Sequence, residues 1–297
     1  MCPAIALCLL SLIQQIPAAD GPTDKALQPV ARHKIVVQAS RIETPLKELA
    51  GAVAVITADD LARLRKATVL EVLEDALGAS SVQNGGAGGA ASLFLRGANS
   101  EHTLVLVDGI ELNDPANPSR SFDLAHLSTA GVEQVEILRG PQGTIYGSDA
   151  IGGVVNIVTQ KGRGKPSVQL TGRAGSFQTL SSSLAVSGSA RALDFSLSAS
   201  ALETAGISAA DARLPGNTER DGYRNHSLAG RAGLKLSGRS DLDLSFRAVS
   251  ARSDLDSFGG AYGDDPNSEQ LYKSLFIRGR FRTRVGDRWE RPVQSAA

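Results

Sequence analysis

From Lys161 onward the chain repeats with a period of two, and no other feature limits its possible folds as much. Leu170, Gly172 and Ala174 alternate with Gln169, Thr171 and Arg173. Leu193, Phe195, Leu197 and Ala199 alternate with Asp194, Ser196, Ser198 and Ser200. Leu242, Leu244, Phe246 and Ala248 alternate with Asp241, Asp243, Ser245 and Arg247. Successive side chains of a strand point to opposite faces, so each segment reads as a strand with one apolar and one polar side. Similar strands fit 179–187, 226–236 and 269–283. Two architectures carry this pattern: a soluble antiparallel sheet with one face on a core, or a membrane barrel with lipid outside and a wet lumen inside. No run of eighteen apolar residues occurs, which excludes a transmembrane helix by length but leaves a barrel open.

The N-terminal part has a different texture. Ala4–Ile13 is an apolar run too short to span a bilayer, followed by small residues at Ala18 and Ala19. It reads as a signal peptide over 1–19, with an N-terminal fold helix as the alternative. No Lys or Arg precedes Lys25, so the basic leader usual for such a peptide is missing. Cys2 and Cys8, the only cysteines, lie in this stretch, so no disulfide, zinc site or cysteine nucleophile is expected in a mature chain. Lys+Arg and Asp+Glu are both 31, which implies no bulk attraction to nucleic acid. Residues 20–33 read as a flexible segment. Lys34, Ile35, Val36, Val37, Gln38 and Ala39 then form a lone β-prone hexapeptide. It is either an ordinary first strand or an exposed strand that another protein captures by edge pairing.

Residues 41–160 alternate short strands and helices. Val53–Ile56 is strand-like, and Thr57 caps a helix whose first turn carries Asp59 and Asp60. Thr68 and Glu71 suggest a capping box for a second helix running to about Leu77, with Leu70, Leu73 and Leu77 on one face and Gly78 as its stop. Gly86, Gly88 and Ala91 loosely match a dinucleotide fingerprint, but a strand, Leu93–Leu95, follows where that fingerprint needs a helix. A mobile loop is the better reading of 84–91. Leu104–Val107 reads as a buried strand closed by Asp108-Gly109, and Val132–Leu138 as a half-buried strand ending at Arg139. Two glycine-punctuated turns, at Arg139-Gly140-Pro141 and Tyr146-Gly147-Ser148, lead into the strand Val154–Thr159. His33, His102, His126 and His226 have no ligand spacing, and no nucleophile elbow or recurring acid pair is present, so an enzyme is not expected. His102 and His126 read as packing or surface residues.

The series Leu93–Gly97, Val105–Gly109, Leu112-Asn113, Arg139–Pro141 and Tyr146–Val154 resembles the plug domain of TonB-dependent outer-membrane receptors. Gln83–Gly86, Arg96–Ser100 and Gly147–Ala150 are most similar to the cobalamin transporter group of that family. The resemblance implies an α+β plug domain over 41–160, followed by the antiparallel β strands of an incomplete transmembrane β-barrel over 166–290 in the cell outer membrane. It also implies active uptake of a scarce large ligand: cobalamin, a ferric siderophore or heme. Residues 34–39 would be the TonB box, offered to TonB and powered through the ExbB–ExbD inner-membrane complex. Outer-membrane lipid would surround the strands. The alternative is a soluble periplasmic plug-like binding module without a pore.

Ligand contacts carried over from the family fall on Asn84, Gly89, Ala90 and Ser92 in one plug loop and on Asn117, Pro118 and Ser119 in a second. Gly89 and Ala90 offer little to bind with, so recognition would rest on backbone and shape, or the ligand differs from cobalamin. No cofactor is required. Cobalamin transporters place loop acids around calcium, and Asp211, Asp221, Asp264 and Asp265 lie in the corresponding region. Arg96 and Arg139 end plug strands beside glycines, with Glu133 and Glu136 on a strand that could face them, a candidate plug–barrel lock. Family barrels have about 22 strands, and the few drawn here cannot close around such a domain, so the chain reads as a truncated fragment.

Overall fold

The computed structural model describes residues 36–37, 44–45, 52–113, 120–208, 210–211, 213, 217, 219–256, 263, 265, 267–285 and 289–296. The expected signal peptide and Lys34, Ile35, Gln38, Ala39, Asn117, Pro118, Ser119 and Asp264 lie outside them.

Two short strands come first, β1 (Val36–Val37) and β2 (Thr44–Pro45), paired antiparallel. β3 (Ala52–Thr57) leads into α1 (Ala58–Leu64). Thr57 and Asp60 close a capping box here, and Arg63 adds an ion pair at 2.7 Å to Asp60. Hydrogen bonds from Thr57 hold the Asp60 carboxyl below the usual carboxylate range, with Arg63 helping. α2 (Val69–Glu74) is shorter than expected. Thr68 Oγ1 accepts from Glu71 N, but the Glu71 carboxylate reaches past the cap to the Ala67 amide at 3.1 Å. The helix stops before Leu77, which is 83% exposed, because the chain must turn through Ala76 into β4 (Ala79–Gln83). β4 pairs antiparallel with β5 (Ala91–Leu95), so residues 84–90 are a hairpin tip. The small hydroxyl residues of β4 gave no strand signal.

β6 (Thr103–Val107), β7 (Ile110–Glu111), β8 (Val132–Arg139), α3 (Gly143–Tyr146) and β9 (Gly153–Thr159) complete the first domain. Its main sheet has the order β3–β8–β9–β6–β7, with β6 parallel to β9 and the other pairs antiparallel. β6 and β9 are buried along their whole length, which accounts for their continuous apolar runs. β8 was expected to be half-buried, but it lies between β3 and β9 and is buried from Val135 to Leu138. One face of the sheet joins α1 and α2 in a core with Leu73, Leu95, Leu124 and Ile137; a smaller cluster of Leu104, Leu138 and Val154 lies apart from it.

Seven strands follow: β10 (Ser167–Gly175), β11 (Thr179–Ala190), β12 (Leu193–Thr204), β13 (Tyr223–Ser237), β14 (Ser240–Asp254), β15 (Glu269–Val285) and β16 (Trp289–Ala296). Each pairs antiparallel with the next, in sequence order. β16 continues through Pro292; proline is tolerated on a strand that ends the described sheet. The alternation falls as expected. Leu170, Leu184, Leu197, Leu244, Phe246 and Ile277 are exposed on one face. The other face carries Ser198, Asn225, Arg231, Arg247 and Arg278, buried against the first domain. Connections β10–β11, β11–β12 and β13–β14 take two or three residues, while β12–β13 and β14–β15 are joined by the longer stretches 205–222 and 255–268, both leaving from one end of the sheet.

Candidate functional site

The seam between the α+β domain and the inner face of the sheet gathers most of the buried polar groups, and it has three parts.

The first is the β4–β5 tip. Asn84 N and Ala90 O close the hairpin at 3.0 Å, and Gln83 Nε2 donates to Gly89 O. Ser253 Oγ on β14 donates to Gly88 O at 2.9 Å. A methyl group on Gly88 would lie 2.2 Å from the Tyr223 ring, and its φ is +80°. Only glycine lets the tip sit this close to the sheet. The segment expected to be a mobile loop is therefore packed down. Asn84 and Ala90 are exposed, Gly89 is buried, and Ser92 is part-buried in β5 opposite Val82.

The second part centres on His126, which is 2% exposed. Its Nδ1 lies 3.1 Å from the Tyr223 hydroxyl, and its ring stacks on Tyr272 at 4.5 Å. Asn225 Nδ2 donates to the His126 carbonyl. Nε2 has no hydrogen-bond partner and lies 3.8 Å from the Asp123 carboxylate. Burial pushes the imidazole below its ordinary value, and Asp123 only partly opposes this.

The third part is ionic. Asp108 accepts from the Thr159 amide and hydroxyl at 2.9 and 2.6 Å and faces Arg231 Nη1 at 3.6 Å. Arg231 also donates to Asp243 at 2.6 Å, with Arg280 at 3.9 Å from the same carboxylate. Arg247 Nη1 reaches the Ser128 carbonyl at 3.4 Å. Arg247 Nε and Nη2 and Arg278 Nε are buried without hydrogen-bond partners.

The expected lock is not built from its four residues. Arg139 Nη1 donates to Leu77 O at 2.6 Å, and Arg96 lies over the turn at Gly140. Glu133 pairs with Arg163 at 2.9 Å, and buried Glu136 accepts from Gln134 and Asn156. No described ion pair joins either arginine to either glutamate. For Arg139 the strand geometry forbids it: Glu133 and Arg139 are six residues apart on β8, about 20 Å, and Glu136 and Arg139 point to opposite faces.

Of the calcium set, Asp264 lies outside the described residues. Asp211 is held by Arg213 at 2.8 Å, which keeps its carboxyl below the usual range, and Asp221 is buried. Among the described residues, no three His, Cys, Asp or Glu side chains converge on a metal position. Sequence reasoning missed Asp108, Tyr223, Asn225 and the inward arginines. The available signal was arginine at inward positions of the alternation.

Residues 45–154 match the family described as TonB-dependent Receptor Plug Domain. Solved structures agree over a longer span. The ferripyoverdine receptor of the outer membrane of Pseudomonas aeruginosa aligns with a TM-score of 0.70 at 15% identity, covering 88% of this chain and 36% of that one. The ferric yersiniabactin uptake receptor of Yersinia pestis gives 0.64 at 20%, covering 83% and 40%. The ferric-catecholate import receptor of E. coli K12 gives 0.65 at 17%, covering 84% and 38%. The chain thus spans well under half the length of these receptors. Residues 45–154 thus match a plug-domain family, and together with the antiparallel sheet that follows they have the fold of TonB-dependent receptor structures.

Proposed function

We propose that this chain is the plug and first wall strands of a TonB-coupled receptor that takes up a scarce, large ligand across the outer membrane. The carrying observation is the two-sidedness of the sheet. Its inner face holds the plug through buried Asp108, His126 and their partners, while its outer face presents leucine, isoleucine and phenylalanine. An apolar surface of that extent suits lipid and does not suit a soluble binding module. The end of the sheet from which the two long connections leave is the end that meets the β4–β5 tip, and in such barrels the long connections are extracellular. Asn84, Gly89, Ala90 and Ser92, with Asn117, Pro118 and Ser119, are then the ligand-facing positions. Pulling by TonB, driven through ExbB–ExbD, would act on residues 34–39; Val36–Val37 are strand in this structure. A ferric chelate is the preferred ligand, because the matched receptors are named for ferric chelates; cobalamin and heme are the competitors.

The experiment is uptake of radio-iron as catecholate, hydroxamate and pyoverdine-type chelates, with labelled cobalamin and heme in parallel. The full-length protein is expressed in a strain lacking its own receptors, with and without TonB. Accumulation of one compound only when TonB is present is expected. Accumulation of none, or accumulation indifferent to TonB, overturns the reading.

A further inference from the structure

The plug is fastened unevenly to the wall. On β13–β15 the contacts are ionic or fully buried: Asp108 with Arg231, His126 with Tyr223, and Asn225 with the His126 carbonyl. On β10–β12 the inner positions are mostly hydroxyl residues, and the contacts are neutral. Ser200 Oγ meets Ser128 Oγ at 3.0 Å, and Gln160 Nε2 donates to Ser187 Oγ at 3.3 Å. Between α1, the segment Ser128–Glu133 and this hydroxyl sector lies a cavity of about 410 Å³. Its charged lining is Lys161, Arg163 and Arg173 against Glu133 alone, three cations to one carboxylate.

Resting on the receptor reading above, we infer that the plug opens on one side only. It stays anchored to β13–β15 and parts from β10–β12, and the hydroxyl-lined crevice there is the ligand's path, suited to a hydrophilic anion. Neutral hydrogen bonds at a part-buried seam exchange for water at little net change in free energy. A buried ion pair cannot part without leaving a charge uncompensated. A pull on the plug therefore separates the hydroxyl side first. Serine and threonine side chains leave room near the wall and hydrogen-bond a passing polar ligand without holding it. The excess of cations draws anions into the crevice.

Single cysteines test this in the full-length protein in outer-membrane vesicles, with Cys2 and Cys8 replaced by serine. Ser183→Cys and Thr171→Cys report the crevice; Ser253→Cys and Ser227→Cys report the anchored side. The probes are an anionic sulfonatoethyl and a cationic trimethylammonioethyl methanethiosulfonate, each rate being referred to its reaction with a free thiol. The crevice cysteines should react about tenfold faster or more, with a rate flat in low urea, and the anchored cysteines only as urea releases the plug. The sulfonate should be the preferred probe in the crevice, and Arg173→Gln should erase much of that preference. Equal rates on the two sides, or a preference for the cationic probe, overturn the inference. The labelling needs no uptake, so a protein that imports no tested compound yet labels this way refutes the receptor reading alone.

Discussion

At the scale of single residues, exposure decides which charges matter. Asp108 and Glu111 lie three positions apart, and both face arginines. Asp108 is buried and its partner Arg231 is 3% exposed, whereas Glu111 meets Arg120 at 3.5 Å in the open. Asp108→Asn leaves Arg231 with Asp243 alone and unsettles the Thr159 contacts, an expected loss of about 3 kcal/mol in urea unfolding. Glu111→Gln should cost less than about 1 kcal/mol, because solvent screens an exposed pair. Equal effects would mean that Asp108 does not anchor the plug. His126 adds a pH dependence of definite sign. Its folded-state value is depressed, so the unfolded chain takes up the proton more readily. Stability is therefore full above the ordinary imidazole value of about 6.5 and falls as pH drops below it. The groups facing the ring are Asp123, Tyr223 and Tyr272. His126→Phe keeps the stacking on Tyr272 and should flatten the stability–pH curve between about pH 5 and 7. An unchanged slope in that variant assigns the dependence elsewhere.

At the scale of elements, the β4–β5 tip shows how a local feature gains a role from its neighbour. Gly85 and Gly88 both have positive φ, +76° and +80°. Beside Gly85 a methyl group would meet nothing within 4 Å, while beside Gly88 it would meet Tyr223 and Ser253. Gly85→Ala should cost only backbone strain, about 1 kcal/mol. Gly88→Ala should lift the tip from the sheet and speed hydrogen exchange at 84–90, the measurement that separates the two. The sequence marked these glycines as a loop but could not say that one of them presses on a tyrosine 135 positions away. The wall strands were legible for the opposite reason. Their period-two pattern is a local property, and side-chain alternation carries it directly into the two faces. What occupies the far side of a face is not local: Asp108 and Arg231 are 123 residues apart. The Arg139 half of the expected lock failed in the same way, pairing an arginine with glutamates near in sequence on a strand that keeps them apart.

At the scale of the whole molecule, the uneven seam makes a claim about motion. If the plug hinges on β13–β15, a single covalent tether across the hydroxyl side should hold it shut. Ser128 and Ser200 place their oxygens 3.0 Å apart across that seam, on the plug and on β12. A disulfide needs its sulfurs about 2 Å apart and its Cβ atoms roughly 4 Å apart, so Ser128→Cys/Ser200→Cys, whose side chains already meet, is the pair to oxidise across this seam. Both positions are small and neutral, so on the proposed receptor reading the reduced double variant of the full-length protein should fold and take up its ligand as the parent does. Oxidised, it should still bind ligand at the loop end, since neither position belongs to the β4–β5 tip, but uptake should stop and return on reduction. Binding and uptake measured on the same cells separate a blocked path from a damaged receptor. Uptake that continues through the oxidised tether would place the opening elsewhere on the wall, and the buried arginines of β13–β15 would then have to yield.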